Sequence, residues 1–484
     1  MTVRTLHNYY GGAWVPSEST ELGEVRNPAT DELIARVPFS TREEVEAAIR
    51  EARAAFPAWR ETPPLVRARY FFRLKDALEA HLEDLSRLVV EEEGKTLEDA
   101  RGEVRRMIEN VEVATGIPSL MMGYNLEDVA KDIDCVAERQ PIGVFAIIGP
   151  FNFPAMVPWW FAPYAVATGN TCIIKPSEQV PCTQNRIFEI VHQVGFPPGV
   201  FNLVNGAKEV VDVLLENPGV NGISFVGSTP VARYVYRRAA EFGKRVQALG
   251  GAKNFLVVMP DAVLERTVPA LGTSCFGAAG ERCLSGSIIL AVGEIHRSLR
   301  DRFVEMATRI KVGNGLDESV QMGPLISRRH RERVLAYIQK GIDEGAKLVL
   351  DGREVRVEGY PHGYFLGPTI FDEVRPEMTI ANEEIFGPVA GIIPVGDLDE
   401  ALQIIRRNRY GNMACIFTQS GRWAREFKYR AECSMLGVNV GIAAPMAFFT
   451  FGGIKESMFG DLKGHGRDAI EFFTDKKVVT IRWF

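Results

Sequence analysis

The sequence lacks a marked excess of either charge. Its 56 basic and 62 acidic residues leave a net charge of -6, and both signs are interspersed along the chain. Proteins that bind nucleic acid or anionic membranes need a clustered basic surface. We therefore expect small-molecule ligands, with no nucleic-acid partner and no membrane partner.

Long apolar runs are also absent. No window reaches the roughly 18 to 20 apolar residues that span a bilayer. The segment from Met1 to Val15 has no uninterrupted apolar core of the kind that marks a secretory signal. We expect a soluble, unprocessed protein.

Cysteine is sparse, and its pattern excludes two kinds of site. The seven cysteines are odd in number and contain no C-x-x-C pair, which argues against a disulfide framework and against a zinc site. The seven histidines form no H-E-x-x-H motif and no tight cluster. We predict no metal and a reducing, cytoplasmic location.

The chain is too long for one hydrophobic core. A single core stops growing beyond about 250 to 300 residues, and this chain has 484, of which 46% are hydrophobic. Helices come first, because apolar residues recur three and four apart over residues 41–56, 66–92 and 96–115. Thr41 and Glu44 form a capping-box pattern at the start of the first helix.

From Ile142 onward, short apolar runs alternate with helices, which favours parallel sheets of the doubly wound α/β class. A second alternating region begins near Val246. The predicted strands are Val144–Ile148, 171–174, 201–204, Gly222–Val226, Phe255–Val258, Ile288–Val292, Lys347–Leu350 and 438–440.

Two stretches fit neither α/β region. One is residues 122–138, and the other is residues 476–484 (KKVVTIRWF), whose branched and aromatic side chains predict a strand. The second stretch is either an edge strand of the second region or a partner of the 122–138 arm or of a neighbouring subunit.

The first chemical signal is Cys283, which follows a run of small residues in GAAGERCL. Small residues let a ligand approach the backbone closely. A lone cysteine is more often an inert buried residue than a nucleophile, so Cys283 needs support from its surroundings.

The second signal is Asn152, which follows an apolar strand in IIGPFNFP. Open α/β sheets bind ligands at the carboxyl ends of their strands, where an amide can stabilise the oxyanion formed when a thiolate attacks a carbonyl. The alternative is an ordinary asparagine in a turn.

Two further motifs, KPSE at Lys175 and FVGST at Phe225, also follow apolar strands. Lysine and carboxylate groups at a strand end can bind ribose hydroxyls, and a helix N-terminus at Gly227 and Ser228 can bind a phosphate. The usual G-x-G-x-x-G motif is absent, so a nucleotide site is only one interpretation of these motifs taken singly.

In this order, the motifs resemble the aldehyde dehydrogenase superfamily from Arg26 to the C-terminus. The matching blocks are FNFP, KPSE, FVGST, GGAKN, GERC and NEEIFGP. The resemblance implies that Cys283 attacks the aldehyde, that Asn152 contributes to the oxyanion hole, and that hydride passes to a nicotinamide cofactor, NAD or NADP. A soft nucleophile that is also a good leaving group suits this thioester chemistry.

The resemblance also implies a cofactor site and a domain plan. Lys175 and Glu178 would contact the adenosine ribose, and Glu384 with Phe386 would hold the nicotinamide ribose. The expected cofactor-binding residues are Ile148, Pro150, Phe151, Lys175, Ser177, Glu178, Phe225, Gly227, Ser228, Val231, Leu249, Gly250, Glu384 and Phe386. The expected units are a Rossmann-like NAD(P)-binding domain (1–120 and 142–248), a catalytic α/β domain (249–461), and a small β oligomerisation element (121–141 and 462–484).

One position departs from the family's usual pattern. Hydrolytic members carry a glutamate in E-L-G-G-K that activates water, and alignment on Lys253 puts Leu249 in its place. Leucine cannot accept a proton, so the thioester would need another base or a better acceptor, such as the thiol of coenzyme A.

That departure is similar to the methylmalonate-semialdehyde dehydrogenase branch, which uses coenzyme A. The shared stretches are FNFPAMVP, AKN, PMAFF, FGDL and the ending KKVVTxRWF. The branch implies that Arg106 and Arg282 hold a substrate carboxylate, a role suited to the planar guanidinium, with Phe153 also at the substrate. Arg106 beside Arg105 is alternatively a solvated helix residue, and Arg282 alternatively serves to lower the thiol pKa. The branch has Asn where this chain has Leu249 and His where it has Phe255.

Three functions are compatible with these patterns. They are a coenzyme A-acylating dehydrogenase of methylmalonate or malonate semialdehyde, a non-acylating dehydrogenase of simple aliphatic or aromatic aldehydes, and an inactive cofactor-binding structural protein. Glu178 favours NAD because it repels a 2′-phosphate, although Lys175 could bind that phosphate. We expect a homodimer or a homotetramer.

Overall fold

The computed structural model describes residues 3–484. Its α-helices are α1 (Arg42–Glu61), α2 (Pro64–Ala80), α3 (Leu82–Glu93), α4 (Leu97–Ala114), α5 (Ile117–Leu120), α6 (Ala162–Ala167), α7 (Cys182–Val194), α8 (Lys208–Glu216), α9 (Thr229–Glu241), α10 (Leu264–Phe276), α11 (Ile295–Thr308), α12 (Arg328–Asp343), α13 (Thr379–Asn382), α14 (Leu398–Arg407), α15 (Gly421–Arg430) and α16 (Gly466–Phe473). Short 3₁₀ helices cover Pro158–Trp160 and Gly277–Gly280.

The strands in the first half of the chain are β1 (Arg4–Thr5), β2 (Asn8–Tyr10), β3 (Ala13–Val15), β4 (Leu22–Arg26), β5 (Leu33–Pro38), β6 (Tyr124–Ala130), β7 (Ile133–Pro141), β8 (Val144–Ile148), β9 (Thr171–Lys175), β10 (Phe201–Leu203), β11 (Gly222–Val226) and β12 (Arg245–Leu249). Those in the second half are β13 (Phe255–Val258), β14 (Ile288–Val292), β15 (Lys347–Leu350), β16 (Thr369–Asp372), β17 (Val389–Val395), β18 (Tyr410–Gly411), β19 (Met413–Phe417), β20 (Met435–Val438), β21 (Ile454–Lys455), β22 (Met458–Phe459) and β23 (Thr474–Arg482).

The first large sheet has eight strands in the order β22-β12-β11-β8-β9-β10-β2-β3. Strands β12, β11, β8, β9 and β10 are parallel, and β8, β9 and β11 are buried throughout. Burial on both faces explains their continuous branched and apolar runs. Ile148, Lys175, Val226 and Leu249 end four of these strands at one edge, which therefore gathers the predicted motifs.

The second large sheet has the order β15-β16-β17-β14-β13-β19-β20. Its strands are parallel except for β15, which runs antiparallel to β16. The strand predicted at 438–440 lies three residues earlier, because Asn439 takes a left-handed φ of 56° that ends the extended run. The two sheets and their helices confirm the predicted α/β fold class.

A third sheet joins the two stretches that fit neither region. Strand β23 pairs antiparallel with β7 over nine residues, from Thr474 opposite Pro141 to Arg482 opposite Ile133, and β7 also pairs with β6. The interpretation of the C-terminal strand as an edge of the second region was therefore wrong. The reason is that the backbone of β23 pairs along its whole length with β7, which begins in the 122–138 arm.

The helical start follows the prediction with one correction. The capping box at Thr41 and Glu44 is present, and Thr96 caps α4 by accepting a hydrogen bond from the Asp99 N–H. The helix predicted over 66–92 is two helices, because His81 (φ -108°, ψ 12°) leaves helical geometry between α2 and α3. Within residues 3–484 no helix is both long and apolar enough to cross a membrane.

Candidate active site

The loop that carries Cys283 is tightly shaped by small residues. Ala278 and Ala279 take left-handed φ angles of 48° and 52°, and Gly280 takes 74°. A side chain at Gly280 would collide with the Gly387 carbonyl group, so glycine is required there. The run of small residues before the cysteine therefore bends the chain sharply.

Two amides hold Cys283 in place. Its carbonyl oxygen accepts hydrogen bonds of 2.9 Å from the side chains of Asn254 and Asn412. Burial and, to a smaller extent, the nearby Glu384 carboxylate raise the pKa of the Cys283 thiol to about 12, although Arg282 opposes the rise. The thiol is therefore protonated at neutral pH in this state, and attack on a carbonyl requires removal of its proton.

Asn152 is buried and is held from both ends. Its side-chain amide donates a 2.9 Å hydrogen bond to the carbonyl of Glu281, two residues before Cys283. Its backbone carbonyl accepts a 2.7 Å hydrogen bond from the Lys95 ammonium group. The predicted oxyanion-hole residue is thus anchored to the cysteine loop, with one amide hydrogen left for another acceptor.

Lys95 is part of a buried ion pair that sequence reasoning missed. Its ammonium group lies 2.6 Å from Glu103, and both side chains are fully buried. Glu103 also accepts hydrogen bonds from the backbone N–H groups of Ala155 and Met156. The only sequence signal was the position of Glu103 on the apolar face of α4, where a charged residue needs a partner.

A cavity of about 340 Å³ opens beside the nucleophile. It brings together Cys283 and all three predicted substrate residues, Arg106, Arg282 and Phe153. Its wall is mainly apolar, with Met156, Trp160 and Phe451 among the contributors. The cavity can hold a small substrate that has an apolar body and an anionic end.

The two arginines each have a carboxylate neighbour. Arg106 donates to Glu109 at 2.9 Å, and Arg282 donates to Asp99 at 2.5 Å. Arg105, by contrast, pairs with the partly exposed Glu79 of α2. Arg106 is therefore the arginine of this pair that faces the cavity, with guanidinium hydrogens left for a ligand.

The predicted adenosine end lies along the carboxyl edge of the first sheet. Lys175 ends β9 and is buried, and its ammonium group lies 3.2 Å from Glu178. Burial lowers the pKa of Lys175. Ser177 is also buried, whereas 41% of the Glu178 side chain is exposed. These groups can donate to and accept from ribose hydroxyls.

The predicted phosphate end lies at the start of α9. Ser228 is the N-cap residue of this 13-residue helix, and its side chain makes no capping hydrogen bond. The first N–H groups of the helix are therefore free for a phosphate. Val231, in the first turn, is 44% exposed, as expected for a surface that a ligand covers. These residues fit a dinucleotide.

The predicted nicotinamide end is compact. Glu384 accepts a 2.9 Å hydrogen bond from the Ala252 N–H, and a side chain at Gly251 would displace this carboxylate. Burial raises the pKa of Glu384 to about 7. Phe386 packs edge-to-face with Phe151, with ring centroids 5.7 Å apart.

Five other predicted cofactor residues lie along this edge. Ile148 is buried at the end of β8 and Phe225 within β11, and Pro150 belongs to the loop that leads to Asn152. Gly250 donates a 2.9 Å hydrogen bond to the Ser457 carbonyl, and Gly227 donates a 3.1 Å hydrogen bond to the Leu249 carbonyl, so the Gly227 N–H is not free to bind a phosphate in the way the sequence predicted. The loops after β11 and β12 are thereby tied together.

The family model for the aldehyde dehydrogenase family matches residues 14–479. The chain belongs to the aldehyde dehydrogenase family. Over 480 residues it is 52% identical to malonate-semialdehyde dehydrogenase 3 of Geobacillus kaustophilus, with 99% of each chain covered. The predicted family and enzyme class are therefore confirmed.

Two solved structures are similar to this aldehyde dehydrogenase over nearly its whole length. One is of a protein assigned as a methylmalonate-semialdehyde dehydrogenase, from Sinorhizobium meliloti, in complex with NAD, at 41% identity and a TM-score of 0.98, covering 100% of this chain and 98% of that one. The other is a methylmalonate-semialdehyde dehydrogenase from Oceanimonas doudoroffii, at 45% identity and a TM-score of 0.98, covering 99% of both.

Within this aldehyde dehydrogenase, Leu249 offers no proton acceptor. It ends β12 and is 4% exposed, and its backbone pairs with Val226 and Met458. Nearby, the Lys253 ammonium group is buried without a hydrogen-bond partner among residues 3–484, and burial lowers its pKa to about 7. The GGAKN motif contains this lysine, but nothing in the sequence showed that it lacks a partner.

Proposed function

We propose that the protein oxidises malonate semialdehyde or its methyl homologue with NAD and transfers the acyl group to coenzyme A. The observation that carries the proposal is the cavity that places Arg106 and Arg282 beside Cys283. A guanidinium pair suits a substrate carboxylate. The names of the relatives at 52%, 45% and 41% identity support the same substrate class.

The proposed reaction proceeds in two halves. The Cys283 thiol loses its proton and attacks the aldehyde carbon, while Asn152 donates to the oxygen that becomes negative. NAD, when bound, supplies the hydride acceptor. The resulting Cys283 thioester then transfers its acyl group to the coenzyme A thiol, which regenerates the Cys283 thiol. The balanced reaction consumes aldehyde, NAD⁺ and coenzyme A and yields acyl-coenzyme A, NADH and one proton.

Leu249 supports thiol transfer as the second half-reaction. A buried leucine cannot activate water, so hydrolysis of the thioester lacks the base that hydrolytic members use. A thiol acceptor is intrinsically more nucleophilic than water and needs less activation. We propose coenzyme A as the acceptor on this ground.

The direct test is NADH formation from malonate semialdehyde with and without coenzyme A. We expect steady turnover with coenzyme A and only a single burst without it. Cys283→Ala should remove both while retaining NAD binding, and Cys135→Ala in the arm is the matched control. Equal steady rates with and without coenzyme A would contradict the acylating reaction, and an active Cys283→Ala variant would contradict the mechanism.

The preference for NAD over NADP rests on Glu178. Its carboxylate, 3.2 Å from the Lys175 ammonium group, repels a 2′-phosphate and accepts from a 2′-hydroxyl. Competitive titration with both nucleotides tests this preference. Glu178→Gln should narrow the difference between the two dissociation constants, because it removes the repulsive charge.

A second candidate function is non-acylating oxidation of simple aldehydes. It is favoured by the pairing of Arg106 with Glu109 and of Arg282 with Asp99, which offsets both positive charges in the cavity. It predicts that propanal is used at least as well as malonate semialdehyde. The third alternative, an inactive binding protein, predicts no NADH formation from any aldehyde.

We also propose that the chain forms a homodimer or homotetramer through the third sheet. Every residue of β6 is exposed, and large apolar side chains lie on its surface and on that of β23, including Leu126 at 64% and Val478 at 66% exposure. A monomer seldom leaves so much apolar surface in water. We also propose the domain limits predicted from the sequence. They are residues 1–120 and 142–248 for the NAD(P)-binding domain, 249–461 for the catalytic domain, and 121–141 and 462–484 for the oligomerisation element.

A further inference from the structure

His465 is a polar side chain for which the proposed reaction has no role. It lines the cavity that contains Cys283 and Arg106, and it is 3% exposed. Neither ring nitrogen has a hydrogen-bond partner among the described residues 3–484. Most buried polar atoms in proteins are paired, so these two nitrogens call for a ligand.

The position of the His465 ring is fixed by its neighbours. Its ring lies edge-on to Trp160, with centroids 5.1 Å apart, and 5.5 Å from the Phe451 ring. Backbone hydrogen bonds of 2.8 and 2.9 Å join Phe451 to Gly464, the residue before the histidine. The imidazole therefore cannot swing into solvent to satisfy its nitrogens.

The chemistry of the ring limits the kind of ligand. Burial, and to a smaller extent the positive charge of Arg106, lower the pKa of His465 to about 3. The ring is thus neutral, with one N–H donor and one acceptor. An anion held by Arg106 would accept from that N–H, and its charge would offset the effect of Arg106 on the ring.

We propose that His465 is a substrate-binding residue. It selects for a carboxylated aldehyde by donating a ring N–H to the substrate carboxylate that Arg106 holds. This inference rests on the proposed function for the identity of the aldehyde. It adds an uncharged donor to the two arginines, each of which already has a carboxylate neighbour. A site with a buried donor discriminates strongly against an analogue that lacks the acceptor.

The first experiment compares His465→Phe and His465→Asn. Phenylalanine keeps the ring packing against Trp160 and Phe451, and asparagine keeps a donor. The readout is the ratio of kcat/KM for malonate semialdehyde to that for propanal. We expect His465→Phe to lower this ratio about tenfold or more through the KM of the carboxylated substrate. His465→Asn should restore part of it.

A histidine on the protein surface provides the control. His362→Phe, at an exposed loop position, should leave the ratio unchanged. A His465→Phe variant that keeps the wild-type ratio, or that changes both substrates equally with a normal melting temperature, would overturn the proposal. The proposal would also be overturned if another aromatic residue at position 465 restored the ratio and asparagine did not, because packing alone would then explain the effect.

A second measurement separates this inference from the proposed function. Malonate carries the carboxylate but cannot be oxidised, so its competitive inhibition of propanal oxidation reports binding alone. We expect His465→Phe to raise the malonate inhibition constant about tenfold. If malonate semialdehyde proves not to be a substrate while this effect is present, the proposed function fails and the role of His465 stands. If malonate inhibits wild type and His465→Phe equally, the role of His465 fails.

Discussion

Leu249 is the residue on which the fate of the thioester depends. We predict that Leu249→Glu creates steady NADH formation from propanal without coenzyme A, because a carboxylate at the end of β12 can activate water. General-base catalysis typically contributes about 10² to 10⁴-fold. The measurement is the steady-state rate after the first turnover.

Leu249→Gln is the matched control, since the glutamine side chain has nearly the same shape as that of glutamate but cannot act as a base. Both variants place a polar group at a position that is 4% exposed, so both should be less stable than the wild type. The prediction fails if the glutamine and glutamate variants turn over at the same rate.

The thiol of Cys283 allows a pH prediction at the same scale. Its pKa is raised to about 12, first by burial and then by Glu384. Because only the thiolate reacts, alkylation of Cys283 in the free enzyme should accelerate about tenfold per pH unit between pH 8 and 10. Glu384→Gln should raise the rate at each pH, since it removes a nearby negative charge and so lowers the thiol pKa.

Alkylation is best measured in a Cys135→Ala background, because Cys135 is the other partly exposed cysteine. Peptide mass mapping would assign the modified residue. A rate that does not change between pH 8 and 10 would show that the thiol is already ionised in this state.

Helix α4 and the segment before it connect the two ends of the site. Asp99, Glu103 and Arg106 lie on one face of α4 and contact the cysteine loop, the Asn152 loop and the cavity. Lys95 lies just before the helix and donates to the Asn152 carbonyl. One helical element therefore sets the relative position of the nucleophile and the predicted oxyanion-hole residue.

We predict that Lys95→Met lowers kcat and destabilises the fold by about 3 to 5 kcal/mol, because it leaves the buried Glu103 carboxylate unpaired. The combined Lys95→Met and Glu103→Leu variant should recover part of the stability, since it removes the unpaired Glu103 charge, whereas the buried Glu93, 3.8 Å from the Lys95 ammonium group, still loses its cation. Its kcat should stay low, because the Asn152 loop has lost its hydrogen bonds to Lys95 and Glu103. Denaturant unfolding and steady-state kinetics measure the two effects separately.

Lys75→Met is the control for this element. Lys75 pairs with Glu79 at 2.7 Å on the surface of α2, where a solvent-exposed ion pair contributes little to stability. A double variant that regained full kcat together with stability would show that Lys95 has no positioning role.

At the scale of the whole molecule, the third sheet is the feature that a single chain leaves incomplete. We predict that Leu126→Asp combined with Val478→Asp dissociates the assembly, because two charges would replace apolar side chains in the proposed interface. Analytical ultracentrifugation measures the change in mass. Tyr429→Asp, at an 89% exposed position on α15, should leave the mass unchanged, and a wild-type monomer would contradict the proposal.

Local signals in the sequence determined much of the fold and of the site. The capping box at Thr41, the branched runs of β8, β9 and β11, and the turn residues after them depend on neighbours within a few residues. Because parallel strands end at one edge, the strand-end motifs also predicted which residues would meet. The Leu249 departure likewise needed only the sequence.

Other features depended on contacts between distant residues. Tertiary structure decided the partner of β23, whether Arg106 faces the cavity or only solvent, and the pairing of Lys95 with Glu103 and Asn152. So was the unpaired state of His465. The physical reason is that burial and hydrogen-bond partners are properties of the packed chain, whereas a sequence pattern reports only the local preference for a helix, strand or turn.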